Sequence, residues 1–185
     1  MLTKSEFKTL ATYDCEKADS IPYFSFAGLS TICRIPKIVD GDTCDLLFWY
    51  RGQMLRTRVR VNGVDTPEKR PRVADEKLKE MEKKCGYIVK ERLEQHIDHR
   101  LCYVEFDKDD KYGRPLVTLY KLPTDKTDKE LHRIWKKNAC NMPEKYNIAD
   151  WLVERGYAHR YDGGTKTPWT EYELVGIIKE YENET

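Results

Sequence analysis

At 185 residues, with 39% hydrophobic and 35% charged side chains, the chain is sized for one ordinary domain with a full core, and a second would be cramped. No apolar run approaches the ~20 residues of a membrane span, and the opening Met1-Leu2-Thr3-Lys4-Ser5-Glu6 lacks an apolar signal-peptide core; the expectation is an intracellular protein, with secretion of a processed form left open. A net charge of +1 is small for a general DNA-coating protein but compatible with a local basic patch that grips a few phosphates.

Residues 1–30 mix charges and aromatics without a clear period and read as an extension ahead of a domain spanning 31–185. Strand signals then come in quick succession: Thr31–Val39 with a break at Pro36, Cys44–Tyr50, and, after a turn at Arg51-Gly52-Gln53, Met54–Asn62. The last alternates cleanly. Leu55, Thr57, Val59 and Val61 share one face and Arg56, Arg58, Arg60 and Asn62 the other, so the arginines point to the wet side when the apolar face is buried.

From about Ala74 to His99 the period changes to that of a helix, with Leu78, Met81, Cys85, Ile88, Val89, Arg92, Leu93 and Ile97 near 3–4 spacing. Gly86 interrupts it at a cost of ~1 kcal/mol and is a candidate break between two helices. Leu101–Asp107 and Pro115–Lys121 are the next strands. The polar connection 122–146 contains Thr127-x-x-Glu130, a capping box ahead of Leu131, Ile134 and Trp135. Asn147 caps a helix ending before Gly156, and Thr170-x-x-Glu173 opens a last amphipathic helix. Five strands with about three packed helices make an α+β fold built on a small barrel; an OB-fold is compatible with this order, as are other α+β barrels.

The six cysteines, Cys15, Cys33, Cys44, Cys85, Cys102 and Cys140, show no CxxC and no Cys/His ligand spacing. That argues against zinc, and the expected state is mostly buried free thiols.

Three short motifs carry the chemistry: Asp40-Gly41-Asp42-Thr43; Val64-Asp65-Thr66-Pro67-Glu68, with Arg60 five residues before Asp65; and Asp110-Lys111-Tyr112-Gly113-Arg114. They supply carboxylates for a hard cation, a carboxylate for water and two guanidinium groups for a phosphate. In this order and spacing the chain resembles the staphylococcal nuclease (thermonuclease) family over roughly Thr31 to Tyr161.

The resemblance implies an OB-fold core with three helices and a Ca²⁺-dependent endonuclease. It would act on DNA or RNA, single-stranded or frayed regions preferred, and leave 3′-phosphate ends. Asp42, Asp65 and the Thr66 carbonyl would hold the cation, with Asp40 in the outer shell. Glu68 would position or deprotonate water. Arg60 and Arg114 would clamp the phosphate, and Lys111 and Tyr112 would contact a terminal phosphate. Tyr161 lies about one residue from a base-stacking position of the family. The alternative is a noncatalytic nucleic-acid-binding OB module. No membrane partner is expected, and the protein is expected to be a monomer. Two features depart from the family: the short basic loop Lys69-Arg70-Pro71-Arg72 and the long 122–146 connection. Surface ion pairing is the expected role of Arg56 and Arg58.

Overall fold

The alternation read from the third strand is what shapes the barrel wall. In β3 (Gln53–Val61), Val59 and Val61 are fully buried while Arg56 and Arg58 face solvent. The computed structural model describes residues 3–21, 23–123, 129–130, 133 and 146–184. Within them β1 (Ser30–Asp40), β2 (Thr43–Tyr50), β3, β5 (Leu101–Asp109) and β6 (Pro115–Lys121) form a closed barrel in the order β1-β2-β3-β6-β5. All neighbours are antiparallel except β3 and β6, whose parallel pairing, Arg60 opposite Leu116 and Val61 opposite Val117, closes the ring. Residues 60 and 114–116 therefore share one end of the barrel. The expected five-stranded OB-type α+β fold is present.

Pro36 does not end the first strand. It sits within β1 where the pairing with β2 slips between Arg34 and Lys37, a bulge that accommodates a residue with no N–H to donate. Two short strands escaped the sequence reading, β4 (Val64–Asp65) and β7 (His159–Arg160), which pair with each other.

Four α-helices are described. The long α2 (Glu76–Ile97) is capped by the Asp75 carboxylate, which accepts from Leu78 N–H at 2.9 Å. Its Cys85, Ile88, Val89, Leu93 and Ile97 are buried, and burial of the four aliphatic side chains contributes roughly 1.5–3 kcal/mol each. Gly86 does not break this helix; the expected interruption is corrected. A β-carbon there would meet Glu68 C, Lys69 N and Pro67 O, all at 2.9 Å. The glycine is required by close approach of another backbone segment, which nothing local to the helix reveals.

Asn147 caps α3 (Ile148–Glu154), its side-chain oxygen accepting from Ala149 N–H at 2.8 Å. Thr170 and Glu173 form the expected capping box of α4 (Glu171–Glu184), which packs with α2. The expected helix after Thr127 lies largely outside the described residues; Lys129, Glu130 and Arg133 are helical.

At the other end of the chain α1 (Lys4–Ala11) has a Thr3–Glu6 capping box, the signal that could have revealed it, and none of its residues is buried. Phe26 fastens the following segment to the barrel, its ring 5.3 Å from Phe48 and 5.2 Å from Phe106. Cys33, Cys44, Cys85 and Cys102 are buried free thiols, as expected. Among the described residues no helix is long and apolar enough to cross a membrane.

Candidate active site

The three motifs meet on one side of the barrel, around an open cleft of about 910 Å³. Asp40, Asp42, Arg60, Asp65, Thr66, Glu68, Lys111, Tyr112 and Arg114 all line it. The path from sequence to site runs through strand register. Thr43 of β2 stands opposite Arg60 of β3, so the hairpin Gly41-Asp42 is set against that arginine. The Asp42 carbonyl accepts from Val61 N–H at 2.8 Å and locks the hairpin to β3. Gly41 is needed here: a β-carbon would lie 2.7 Å from Thr66 Oγ1 and 2.9 Å from Val89 Cγ1, so the hairpin could not seat on the Asp65-Thr66 segment and α2.

Asp42 and Asp65 are 5% and 4% exposed, and Thr66 is 3% exposed. The Arg60 guanidinium pairs with both carboxylates, Asp42 through one terminal nitrogen and Asp65 through the other at 3.3 Å, and also donates to the Val64 carbonyl at 3.1 Å. Arg60 does project to the side opposite the barrel core, yet the two acidic segments cover it and its side chain is only 13% exposed. The Thr43 hydroxyl donates to Asp42 Oδ1 at 2.8 Å. Burial raises the pKa of Asp42; Arg60 and Thr43 oppose the rise, and Asp40 and Asp65 add to it. Burial likewise raises that of Asp40, with Lys69 the main opposing charge.

The Glu68 carboxylate is half-exposed, while its backbone N–H donates to Glu82 Oε1 at 3.1 Å. Glu82 sits on the core-facing side of α2 and is 7% exposed. It escaped the sequence reading, although a carboxylate four residues after Leu78 and three before Cys85 falls within the apolar stripe, which is its signal.

Arg114 stands on the adjacent loop, held by Asp110. The Asp110 Oδ1 accepts from Tyr112 N–H at 2.8 Å and Arg114 N–H at 2.9 Å, and its Oδ2 accepts from Arg114 Nε at 2.8 Å. Burial works against the charge on Asp110, but these bonds outweigh it and lower its pKa. The Tyr112 ring, 73% exposed, lies under both flanking cations, 5.2 Å from Lys111 Nζ and 5.6 Å from the Arg114 guanidinium carbon. Tyr161 also lines the cleft, its ring 5.9 Å from the Arg60 guanidinium carbon.

The basic loop splits in two. Arg70 and Arg72 line the cleft, whereas Lys69 folds back, donating to the Val39 carbonyl at 2.5 Å and standing 3.9 Å from Asp40. Arg56 and Arg58 lie outside the cleft and both pair with Asp45, at 2.5 and 2.9 Å, the surface pairing expected of them.

One cation was missed altogether. Lys166 Nζ lies 2.7 Å from Asp65 Oδ1 and 2.6 Å from Glu68 Oε1. Burial works against its charge, but the bonds to the two carboxylates prevail and raise its pKa. Nothing in a span of about a hundred residues ties a lone lysine to the second motif, so only the folded chain reveals it.

The oxygen donors present suit a hard cation: two buried carboxylates, a third carboxylate at the rim, and a buried Thr66 beside them. Among the described residues no three or more His, Cys, Asp or Glu side chains converge as a preformed metal cage. A cation here would depend on few carboxylates and complete its shell with backbone oxygen and water, as hard cations do.

Comparison with curated proteins gives no match. The family model described as staphylococcal nuclease homologue matches residues 58–180, well over half of the chain. That span includes Arg60, the second and third motifs and Lys166; Asp42 lies ahead of it and joins the site through its contact with Arg60. A closed five-stranded barrel, the three motifs gathered around one cleft and this match agree: the chain belongs to the staphylococcal nuclease homologue family.

Proposed function

We propose that the protein is a Ca²⁺-dependent endonuclease that hydrolyses phosphodiester bonds of DNA or RNA. The observation that supports this most is the joint placement of Arg60, Arg114, Glu68, Asp42 and Asp65 around one cleft. Water attacks phosphorus in line and the P–O5′ bond breaks, leaving a 3′-phosphate and a 5′-hydroxyl. Asp42, Asp65 and the Thr66 carbonyl would hold Ca²⁺, which would supply positive charge against the phosphoryl oxygens.

The chain's own groups do the rest. Glu68 orients the water and accepts its proton. Arg60 and Arg114 meet the charge that grows on the equatorial oxygens; Asp110 already holds Arg114 in place, and Arg60 turns to the phosphate from the carboxylates it pairs with in the cation-free site. Lys111 and Tyr112 contact a terminal phosphate. The rings of Tyr112 and Tyr161 on the cleft walls offer stacking surfaces for unpaired bases, which favours single-stranded or frayed substrate. Arg70 and Arg72 hold flanking phosphates.

The deciding experiment incubates the protein with DNA and RNA under Ca²⁺, Mg²⁺ and a chelator, and analyses the product ends. Cleavage in Ca²⁺, much less in Mg²⁺ and none in chelator, with 3′-phosphate ends, is the expected result. Undiminished cleavage in chelator would sink the metal assignment. Binding without any cleavage would favour the alternative, a noncatalytic nucleic-acid-binding module.

A further inference from the structure

Lys166 touches two proposed working groups at once, Asp65 at 2.7 Å and Glu68 at 2.6 Å. The segment that delivers it, between β7 and α4, is tied at both ends. Tyr161 N–H donates to the Gly63 carbonyl at 3.0 Å, the Tyr161 hydroxyl donates to the Gly164 carbonyl at 3.0 Å, and Gly164 N–H donates to Asp162 Oδ1 at 3.0 Å. Beyond the lysine, Trp169 is 9% exposed and stacked on His159 at 3.9 Å. The anchor is fixed, but the lysine itself is 44% exposed, so its four-carbon stem can swing without unpacking the loop.

The ammonium sits on the same Asp65 oxygen that Arg60 approaches at 3.3 Å. A divalent cation ligated by Asp65 would bring two positive charges to within a few ångströms of Lys166. Asp42 and Asp65 are nearly buried but Lys166 is 44% exposed, so water and salt screen that repulsion only in part. One of the two must leave Asp65. In the cation-free protein Lys166 instead neutralises Asp65 and Glu68, which would otherwise repel each other.

We propose that Lys166 is a tethered counter-cation that competes with the divalent cation for Asp65 and is displaced from it when the cation binds. This rests on the cation reading given above. The consequence is a site whose affinity for Ca²⁺ is lower than its carboxylates alone would confer, and whose carboxylates stay ordered without metal.

The test is calorimetric titration of Ca²⁺ into the wild-type protein, Lys166→Met, Lys166→Gln and Lys166→Arg at low salt. Met and Gln keep a stem without the charge. Both should bind Ca²⁺ about two- to fivefold more tightly than wild type, the scale of one partly exposed ion pair. Lys166→Arg should stay near wild type, and the gap should shrink as salt rises. Near-ultraviolet circular dichroism identifies any variant that fails to fold, so the other neutral variant carries the comparison. In the wild-type protein, amine labelling read by mass spectrometry should show Lys166 more reactive with Ca²⁺ than without. Equal or weaker Ca²⁺ binding in the neutral variants, or labelling unchanged by Ca²⁺, overturns the proposal. Absence of Ca²⁺ binding in every form is a different outcome, and it overturns the cation reading itself.

Discussion

Gly86 of α2 lies directly against the backbone that carries Glu68. A β-carbon at Gly86 would stand 2.9 Å from Glu68 C and Lys69 N, closer than side-chain carbons come to backbone. The helix thus sets where the Glu68 segment rests. Glu82, one turn earlier, holds the same segment through Glu68 N–H.

Gly86→Ala should therefore hurt even though alanine is the better helix former by ~1 kcal/mol. The obstructing atoms are backbone and cannot rotate away, so overpacking of roughly 1–3 kcal/mol is expected to outweigh that gain. Nuclease activity should fall by about tenfold or more as Glu68 shifts. Gly176→Ala in α4 is the control, since a β-carbon there meets nothing within 4 Å; it should stabilise by roughly 0.5–1 kcal/mol. Denaturant unfolding of the two variants measures both signs, and a stabilised Gly86→Ala would refute the packing argument.

Glu82 yields a prediction in pH. Burial raises its pKa above the ordinary 4.5, with the Glu68 N–H bond and Lys166 opposing and the charges of Glu68 and Asp65 adding. A carboxyl with a raised folded-state pKa takes up its proton more readily folded than unfolded. Its ionisation therefore removes stability as pH rises from about 4.5 through the raised value. Glu82→Gln keeps an oxygen for Glu68 N–H and cannot ionise. Measured in chelator, its stability should match wild type in acid and exceed it at pH 7. Glu82→Leu leaves Glu68 N–H without that acceptor and should lose ~1–3 kcal/mol at either pH. A Gln variant less stable than wild type at pH 7 would show that the Glu82 charge stabilises the fold.

The two arginines of one strand face separate specific from general electrostatics. Arg60→Ala should lower kcat by at least ~10²-fold, the scale for losing one preorganised donor. Arg58→Ala should change it little, because Arg58 pairs with Asp45 outside the cleft. Steady-state kinetics on one oligonucleotide measures both, and equal losses would mean a general basic surface.

These contacts also mark how far the sequence can be read. Period-2 alternation placed Arg60 opposite Val59 and Val61, and the capping boxes marked the starts of local elements, because strand facing and helix starts are decided by neighbours in the chain. The same rule applied at Thr3-x-x-Glu6 would have found α1. Lys166 and the purpose of Gly86 were hidden for a common reason: each acts on the Asp65–Lys69 segment from elsewhere in the chain, whereas Glu82 at least shows as a carboxylate inside an apolar stripe. A glycine required by tertiary approach looks the same in sequence as one that ends a helix. Alternation alone does not separate Arg56 from Arg60; the motif spacing to Asp65 does, and the hairpin that delivers Asp42 to Arg60 is its physical basis.

Asp110 holds Arg114 by two kinds of bond, and substitution can split them. Asp110→Asn retains an oxygen for the Tyr112 and Arg114 N–H groups but removes the charge that fixes the guanidinium. The loop should keep its shape while kcat/KM falls by about tenfold, since charge-assisted bonds are roughly twice as strong as neutral ones. Asp110→Ala should also lower thermal stability, having lost the backbone contacts. Full activity in Asp110→Asn would mean that substrate alone orients Arg114.

Glu68 and Asp42 offer the sharpest separation between water activation and cation binding. Glu68→Gln should fold and bind nucleotide but lower kcat, because an amide cannot take the water's proton. Asp42→Asn should weaken Ca²⁺ binding, since it removes a ligand charge. It also leaves Arg60 paired only with Asp65 of the two carboxylates. Raising Ca²⁺ should therefore partly rescue Asp42→Asn and leave Glu68→Gln impaired. Lys166 adds a check, because Glu68→Gln also removes one of its two carboxylate partners. Any change in Ca²⁺ affinity in that variant should be small beside that of Asp42→Asn, since Asp65 still holds the lysine. Ca²⁺ titration beside a rate assay at saturating Ca²⁺ measures both quantities. Full recovery of Glu68→Gln at high Ca²⁺ would place Glu68 in the cation's shell and remove it from the role of base.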